Sequence, residues 1–278
     1  MPLKKFKLNQ NCLNHGILSL AGALRAGVID GAFLLSNLSM DLFDKGIDIN
    51  TILVGHRHGS GITIKKNSDI KTPEDLKGKK IAIPSEISTH TALLESYLKT
   101  EGLSLKDVQT KVIAPSNTTK ALQRGIIDAF IVAEPFCAKA EAEGDGTTLV
   151  LSKDILENHI CCIVVVRKEA LQANPEGIQE WVDSMIASGK FIEQDKINNG
   201  AINVAHMATR YMNHSGDIIV NALTNPINRI IYDDLHPRHS DYQAILDISV
   251  KAGLMQDIDL YAFINDSFYK NSSAIIAS

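Results

Sequence analysis

Four polar segments in the 278-residue chain each follow directly on an apolar run. They are Ser36-Asn37 after Leu34-Leu35, His56-Arg57-His58-Gly59-Ser60 after Leu53-Val54, the stretch from Ser85 to His90 after Ile81-Ala82-Ile83, and Glu134-Pro135-Phe136 after Ile131-Val132-Ala133. The first turn of a helix leaves its amides unpaired and carries the positive end of the helix dipole, so hydroxyls and N–H groups placed there can hold an oxyanion. A histidine beside them adds a group whose charge changes near neutral pH. Taken singly, each feature has a plainer explanation. Ser88 or Thr89 before a helix serves as an N-cap with no ligand, and His58, His90 and His159 can be satisfied or surface residues. Four such strand ends in one chain favour a single shared cleft.

Other chemistry finds less support. Cys12, Cys137, Cys161 and Cys162 have no framework spacing and read as buried free thiols. Neighbours in a strand point to opposite faces, so Cys161 and Cys162 are expected to be poor partners for each other. His159 with these two cysteines lacks the further cluster that would complete four ligands, so neither a metal nor a cofactor is expected. His236-Pro237-Arg238-His239 reads as an exposed loop. The chain contains no G-x-x-x-x-G-K-[ST] phosphate loop, no G-x-S-x-G elbow and no H-E-x-x-H.

The elements that must position these residues alternate. Short β-branched runs predict strands at 5–9, 31–35, 51–54, 61–65, 80–83, 111–114, 129–132, 147–151 and 161–167. Between them lie predicted helices at 17–26, 40–45, 89–100, 117–124, 137–143, 175–193 and 241–252, an α/β pattern. Thr72 followed by Pro73, Glu74 and Asp75 predicts a short capped helix that stops at Gly78. In the helix from Pro175, Ile178, Trp181, Val182, Met185 and Ile186 recur at helical spacing and form a buried face. No strand is expected after Ile192.

Composition narrows the functional classes. With 45% hydrophobic and 22% charged residues the chain can bury a sizeable core, in one large domain or two lobes. A net charge of −4 and 5% aromatic residues exclude a general nucleic-acid binder. The longest apolar runs, such as the one at 161–166, are far too short to span a bilayer, and MPLKKFKLNQNCLNHG has no apolar core of a signal peptide. One internal similarity stands out: ALRAGVID at 23–30 and ALQRGIID at 121–128. Each is a helix end, a glycine turn and an aspartate before an apolar strand, as if two α/β lobes used the same unit once each.

Residues 70–83, IKTPEDLKGKKIAI, resemble the "DLKGKKIA" segment of ABC-importer solute-binding proteins. The pieces 125–128, Ala133-Glu134-Pro135-Phe136, His159-Ile160-Cys161-Cys162 and Tyr232-Asp233-Asp234-Leu235 narrow the resemblance to the nitrate/sulfonate/bicarbonate/taurine branch, over residues 5 to 270. It implies an α/β type II periplasmic-binding-protein fold, with two lobes joined by two crossovers and a ligand cleft between them. Lobe one would be 1–78 plus 162–278, and lobe two 79–161. The family's ligand-facing segments fall on Ser36, Asn37, His58, Gly59, Ser60, Ser88, Thr89, His90, Glu134, Pro135, Phe136 and His159. The implied function is capture of a small anion or sulfonate-like solute for an ABC permease, by a monomer of the cell envelope that performs no catalysis. Glu134 would repel an anion unless it pairs with Arg57 or a histidine, or unless the ligand carries a cationic or donor group.

The chain also departs from the family, whose members begin with a secretion signal and a further strand and helix. It opens at what matches the second strand, which leaves a mis-assigned or truncated start, a shortened descendant or a cytoplasmic binding module. An enzyme on the same scaffold (a thiamine-pyrimidine synthase or a dehydratase) and a sensor feeding a regulator are the competing functions. An acid/base pair such as Glu134 with His58 or His159 would favour the enzyme.

Overall fold

The computed structural model describes residues 17–273. The expected strand at 5–9, Cys12 and the apolar tail at 274–277 lie outside the described residues. Among the described residues the strands are β1 (Gly31–Leu35), β2 (Ile49–His58), β3 (Ser60–Lys65), β4 (Lys80–Ile83), β5 (Gln109–Val112), β6 (Ala129–Ala133), β7 (Gly146–Leu151), β8 (Ile160–Arg167) and β9 (Ile230–Ile231). They form two sheets: an antiparallel one ordered β1-β8-β2-β9, and a five-stranded one ordered β5-β4-β6-β3-β7. In the second, β4 runs parallel to β5 and β6, while β3 is antiparallel to β6 and β7.

The apolar runs explain why both sheets are covered on both faces. In β8, Ile163 and Val165 face a core with Leu34, Tyr242 and Phe263, whereas Val164 and Val166 face Ile178, Val182 and Ile186 of the helix Pro175–Asn199. The same two-residue alternation puts Ile81, Ile83 and Ile131 on one side of the five-stranded sheet and Ala82, Phe130 and Val132 on the other. Each fully buried aliphatic side chain contributes about 1.5–3 kcal/mol, so these layers are the main source of stability.

The chain passes between the sheets twice, from β2 to β3 and from β7 to β8. At the first passage His58 and Gly59 have φ of 59° and 80°. Two successive left-handed residues turn one long extended run sharply enough to leave one sheet and join the other. The strand at 60–65, assigned to lobe one from the sequence, therefore pairs in the five-stranded sheet. The two crossovers are tied together, because His58 N donates to His159 O at 3.0 Å.

Three further details differ from expectation. Helix α2 (Ser36–Asp44), which follows α1 (Ile17–Arg25), starts four residues before the predicted 40–45. β1 runs straight into it, and Ser39 Oγ donates back to Leu35 O at 3.0 Å. The segment at 74–76 is a single 3₁₀ turn, and Asp75 rather than Thr72 organises it: its carboxylate accepts from Lys71 N, Thr72 N and Thr72 Oγ1. After Ile192 a two-residue strand, β9, does form, because it borders the tail end of β2. No helix among the described residues is long and apolar enough to cross a membrane.

Candidate functional site

Two helix starts meet between the sheets. Ser36 is the first residue of α2, on the four-stranded side; Thr89 is the first residue of α3 (Thr89–Lys99), on the five-stranded side. Their hydroxyls share a hydrogen bond of 2.8 Å, and both residues are fully buried. Asn37 joins them: Thr89 Oγ1 donates to its Oδ1 at 3.4 Å, and its Nδ2 donates to Ser249 Oγ at 2.7 Å. The first turn of α2 has no side-chain cap, since its N-cap position is Leu35. The start of α3 is capped by Ser88, whose Oγ accepts from Thr91 N at 3.1 Å and shares a bond with Thr91 Oγ1. Ser88 thus acts as an ordinary cap, and its hydroxyl is committed within its own helix.

A second group lies beside the first. Ser60 Oγ is 2.9 Å from His90 Nε2 and 3.6 Å from Cys161 Sγ, joining the crossover, α3 and β8. His58 and His159 pack edge to face with ring centres 5.5 Å apart. A side chain at Gly59 would be strained, because its backbone is left-handed and a Cβ would lie 3.2 Å from the His56 ring.

Glu134 follows neither pattern, and its partner is neither Arg57 nor a histidine. It pairs with Arg229, with Nε to Oε1 at 2.5 Å, and its Oε2 accepts from Ala138 N at 3.0 Å. Burial pushes the Glu134 carboxyl up, and the guanidinium facing it pulls it back. Arg57 is committed elsewhere, to Asp234 and Asp241 at 2.8 Å each. Pro135 leads into α5, the short helix Phe136–Ala142 that follows α4 (Pro115–Gln123), and Phe136 packs edge to face on His214 at 5.4 Å. The structure therefore joins Ser36, Asn37 and Thr89 in one hydrogen-bonded group and Ser60 with His90 in a second. It places Glu134, Pro135 and Phe136 around Arg229 and His214 instead.

The family model described as the NMT1-like family matches residues 17–208. The chain belongs to the NMT1-like family. This NMT1-like chain is 29% identical over 170 residues to the taurine-binding periplasmic protein of Escherichia coli (strain K12), a match covering 60% of the chain and 52% of that protein. It spans about half the length of that relative, and matches to other curated relatives take in as little as 24% of theirs. Among solved structures it is similar to the ligand-binding component of an ABC-type import system from Staphylococcus aureus, solved with zinc bound. That match has a TM-score of 0.82 and 28% identity, covering 92% of this chain and 85% of the other. The periplasmic nitrate-binding protein NrtA of Synechocystis PCC 6803 shares the fold, with a TM-score of 0.82 at 15% identity over 94% of this chain and 78% of that one. The α/β fold of periplasmic solute-binding proteins expected from the sequence is thus the fold observed.

The cleft of this NMT1-like chain is rich in neutral imidazoles. Burial pushes His58 down to about 4, with the neighbouring Arg57 adding to the effect, and burial pushes His159 down to about 3. His58 Nδ1, His90 Nδ1 and both ring nitrogens of His159 are buried without a hydrogen-bond partner. An unpaired buried polar atom costs about 1–3 kcal/mol, a cost that these imidazoles carry.

Reading the sequence missed Arg229, Ser249 and the geometry of the cysteines. In β8 the register against β2 passes from His56↔Cys162 to Arg57↔Ile160, so Cys161 is the extra residue of a β-bulge. The bulge breaks the alternation that would send neighbouring side chains to opposite faces. The Cys161 and Cys162 sulfurs and a His56 ring nitrogen all lie within 4.8 Å of one another. The hydrogen bond from the Cys162 thiol holds Cys161 well below the usual thiol range, with His90 contributing. Arg229 is 95 positions from Glu134, and no local pattern signals their pairing.

Proposed function

We propose that this chain is the solute-binding component of an ABC importer, closing its two halves on one small oxyanion-bearing solute of the nitrate, bicarbonate or sulfonate class. The observation that carries this reading is the direct contact of Ser36 and Thr89, two helix starts from opposite sides of the gap. Hydroxyls and first-turn amides are neutral donors that fit an anion, and α2 offers its first turn without a side-chain cap. The two buried arginines, Arg57 and Arg229, are already neutralised by carboxylates, so Glu134 presents no uncompensated charge to an incoming anion. The taurine-binding relative supports the sulfonate end of the class and a place in the cell envelope. A monomer delivering its solute to a membrane permease, with no bond made or broken, completes the reading.

Isothermal titration with taurine, a short alkanesulfonate, nitrate and bicarbonate tests it. One of these is expected to bind one-to-one, and the Ser36→Ala, Thr89→Val double variant to bind it at least ~10-fold more weakly, a loss of about 1.4 kcal/mol. Mass spectrometry of the recovered solute is expected to show it unchanged. Undiminished affinity in the variant, or a product formed from the solute, would overturn the proposal.

A further inference from the structure

We infer that the cleft also takes a soft divalent cation of the Zn²⁺ class, gripped by His56, Cys161 and Cys162 from one half and by His90 from the other. The inference stands on a different set of atoms from the anion reading and holds for any anion that the helix starts accept. Two thiols and two imidazoles form a donor set that suits tetrahedral Zn²⁺. Zn–S and Zn–N bonds of ~2.3 Å and ~2.1 Å at the tetrahedral angle put a sulfur and a nitrogen about 3.6 Å apart. The three ligand atoms of His56, Cys161 and Cys162 lie within 4.8 Å of one another; His90 stands outside that group, 3.8 Å from Cys161 Sγ through Nε2, so its imidazole shifts toward the ion to become the fourth ligand.

The fold gathers these donors deliberately. The bulge in β8 brings two successive cysteines to one place, where a regular strand would separate them. Cys161 is fully buried and His90 is 2% exposed, with its Nδ1 unpartnered, so the pair sits in the dry interior, where coordination is worth most. Ser60 Oγ, 2.9 Å from His90 Nε2, holds the imidazole in place until an ion arrives. His90 belongs to α3 and the other three donors to β2 and β8, so completing the coordination shell pulls the two halves together.

The test is titration of reduced, metal-free protein with Co²⁺ under anaerobic conditions, followed by displacement with Zn²⁺. One equivalent of Co²⁺ is expected to give the thiolate charge-transfer band and the intense visible absorption of a tetrahedral site. Zn²⁺ should abolish both. Cys161→Ser and Cys162→Ser should each lose the charge-transfer intensity of one thiolate and weaken Zn²⁺ by ~100-fold or more, since even outer partners of a ligand are worth 10–100-fold. His90→Gln should collapse the tetrahedral visible bands while leaving the thiolate band, and Cys137→Ser, whose sulfur lies elsewhere, should change neither. Far-ultraviolet circular dichroism verifies that each variant folds. A reduced wild-type protein that shows no thiolate band overturns the inference, as does a band that survives the double cysteine variant. Unchanged visible bands in His90→Gln overturn the two-sided grip. Taurine titrated into the metal-free protein reports the anion reading separately.

Discussion

The stretches at 23–30 and 121–128 fold alike up to the aspartate and differ beyond it. In each, the residue after the glycine donates to the alanine carbonyl five positions back: Val28 N to Ala23 O at 2.9 Å and Ile126 N to Ala121 O at 3.0 Å. The glycines have φ of 67° and 68°, and each donates three positions back, to Leu24 O and Leu122 O. The strands that follow have different neighbours. β6 lies between β4 and β3, whereas β1 pairs with β8 alone among the described residues. Ile131 in β6 is fully buried, and Phe33, its counterpart in β1, is 49% exposed. The Asp128 carboxylate accepts from Lys80 N at 2.8 Å and fastens its turn to β4, while the carboxylate of exposed Asp30 comes no closer to the Arg167 guanidinium than 3.8 Å. Local sequence sets the shape of this unit, and the neighbouring strand sets its energetic value.

Stability measurements can break or sharpen that contrast. Ile131→Ala is expected to cost about 2–5 kcal/mol in urea unfolding, as deletions in well-packed cores do, and Phe33→Ala less than about 1.5 kcal/mol. Equal losses would mean that β1 is as enclosed as β6. A smaller gap separates the aspartates: Asp128→Ala, which strands a strand amide, should cost about 1–2 kcal/mol, and Asp30→Ala no more than about 0.5 kcal/mol. The smallest difference belongs to the glycines. Gly27→Ala and Gly125→Ala should each cost about 1–2 kcal/mol for the left-handed backbone, Gly27→Ala the more by up to ~0.5 kcal/mol, because its Cβ would press on the Arg167 guanidinium at 2.9 Å whereas that of Gly125 meets only Lys65 Nζ at 3.7 Å. A wider gap than that, read by the same unfolding curves, would show that context reaches into the turn backbone itself.

The same division decides what could be read in advance. The strands at 31–35 and 80–83 were legible because apolar runs bounded by a glycine turn or by lysines specify short buried strands with little help. The polar strand ends were legible too, as residues with hydrogen-bonding roles. The first turn of α2 was not, because Ser36 and Asn37 are poor helix formers and only the direct run from β1 places them in a helix. Arg229, which neutralises Glu134, and Ser249, which anchors Asn37, lie 95 and 212 positions from their partners; only the folded chain brings them close. The bulge at Cys161 depends on register against β2, a property of the pair of strands that neither contains alone.

The hydrogen bond from His58 to His159 O couples the two connections between the halves. A door hung on two pins that are braced to each other favours swinging over sliding. Sliding one half past the other, or screwing it about the long axis, would pull the brace apart, whereas hinging open leaves it intact. A protein that grips both halves from outside would therefore read the opening angle before any other coordinate.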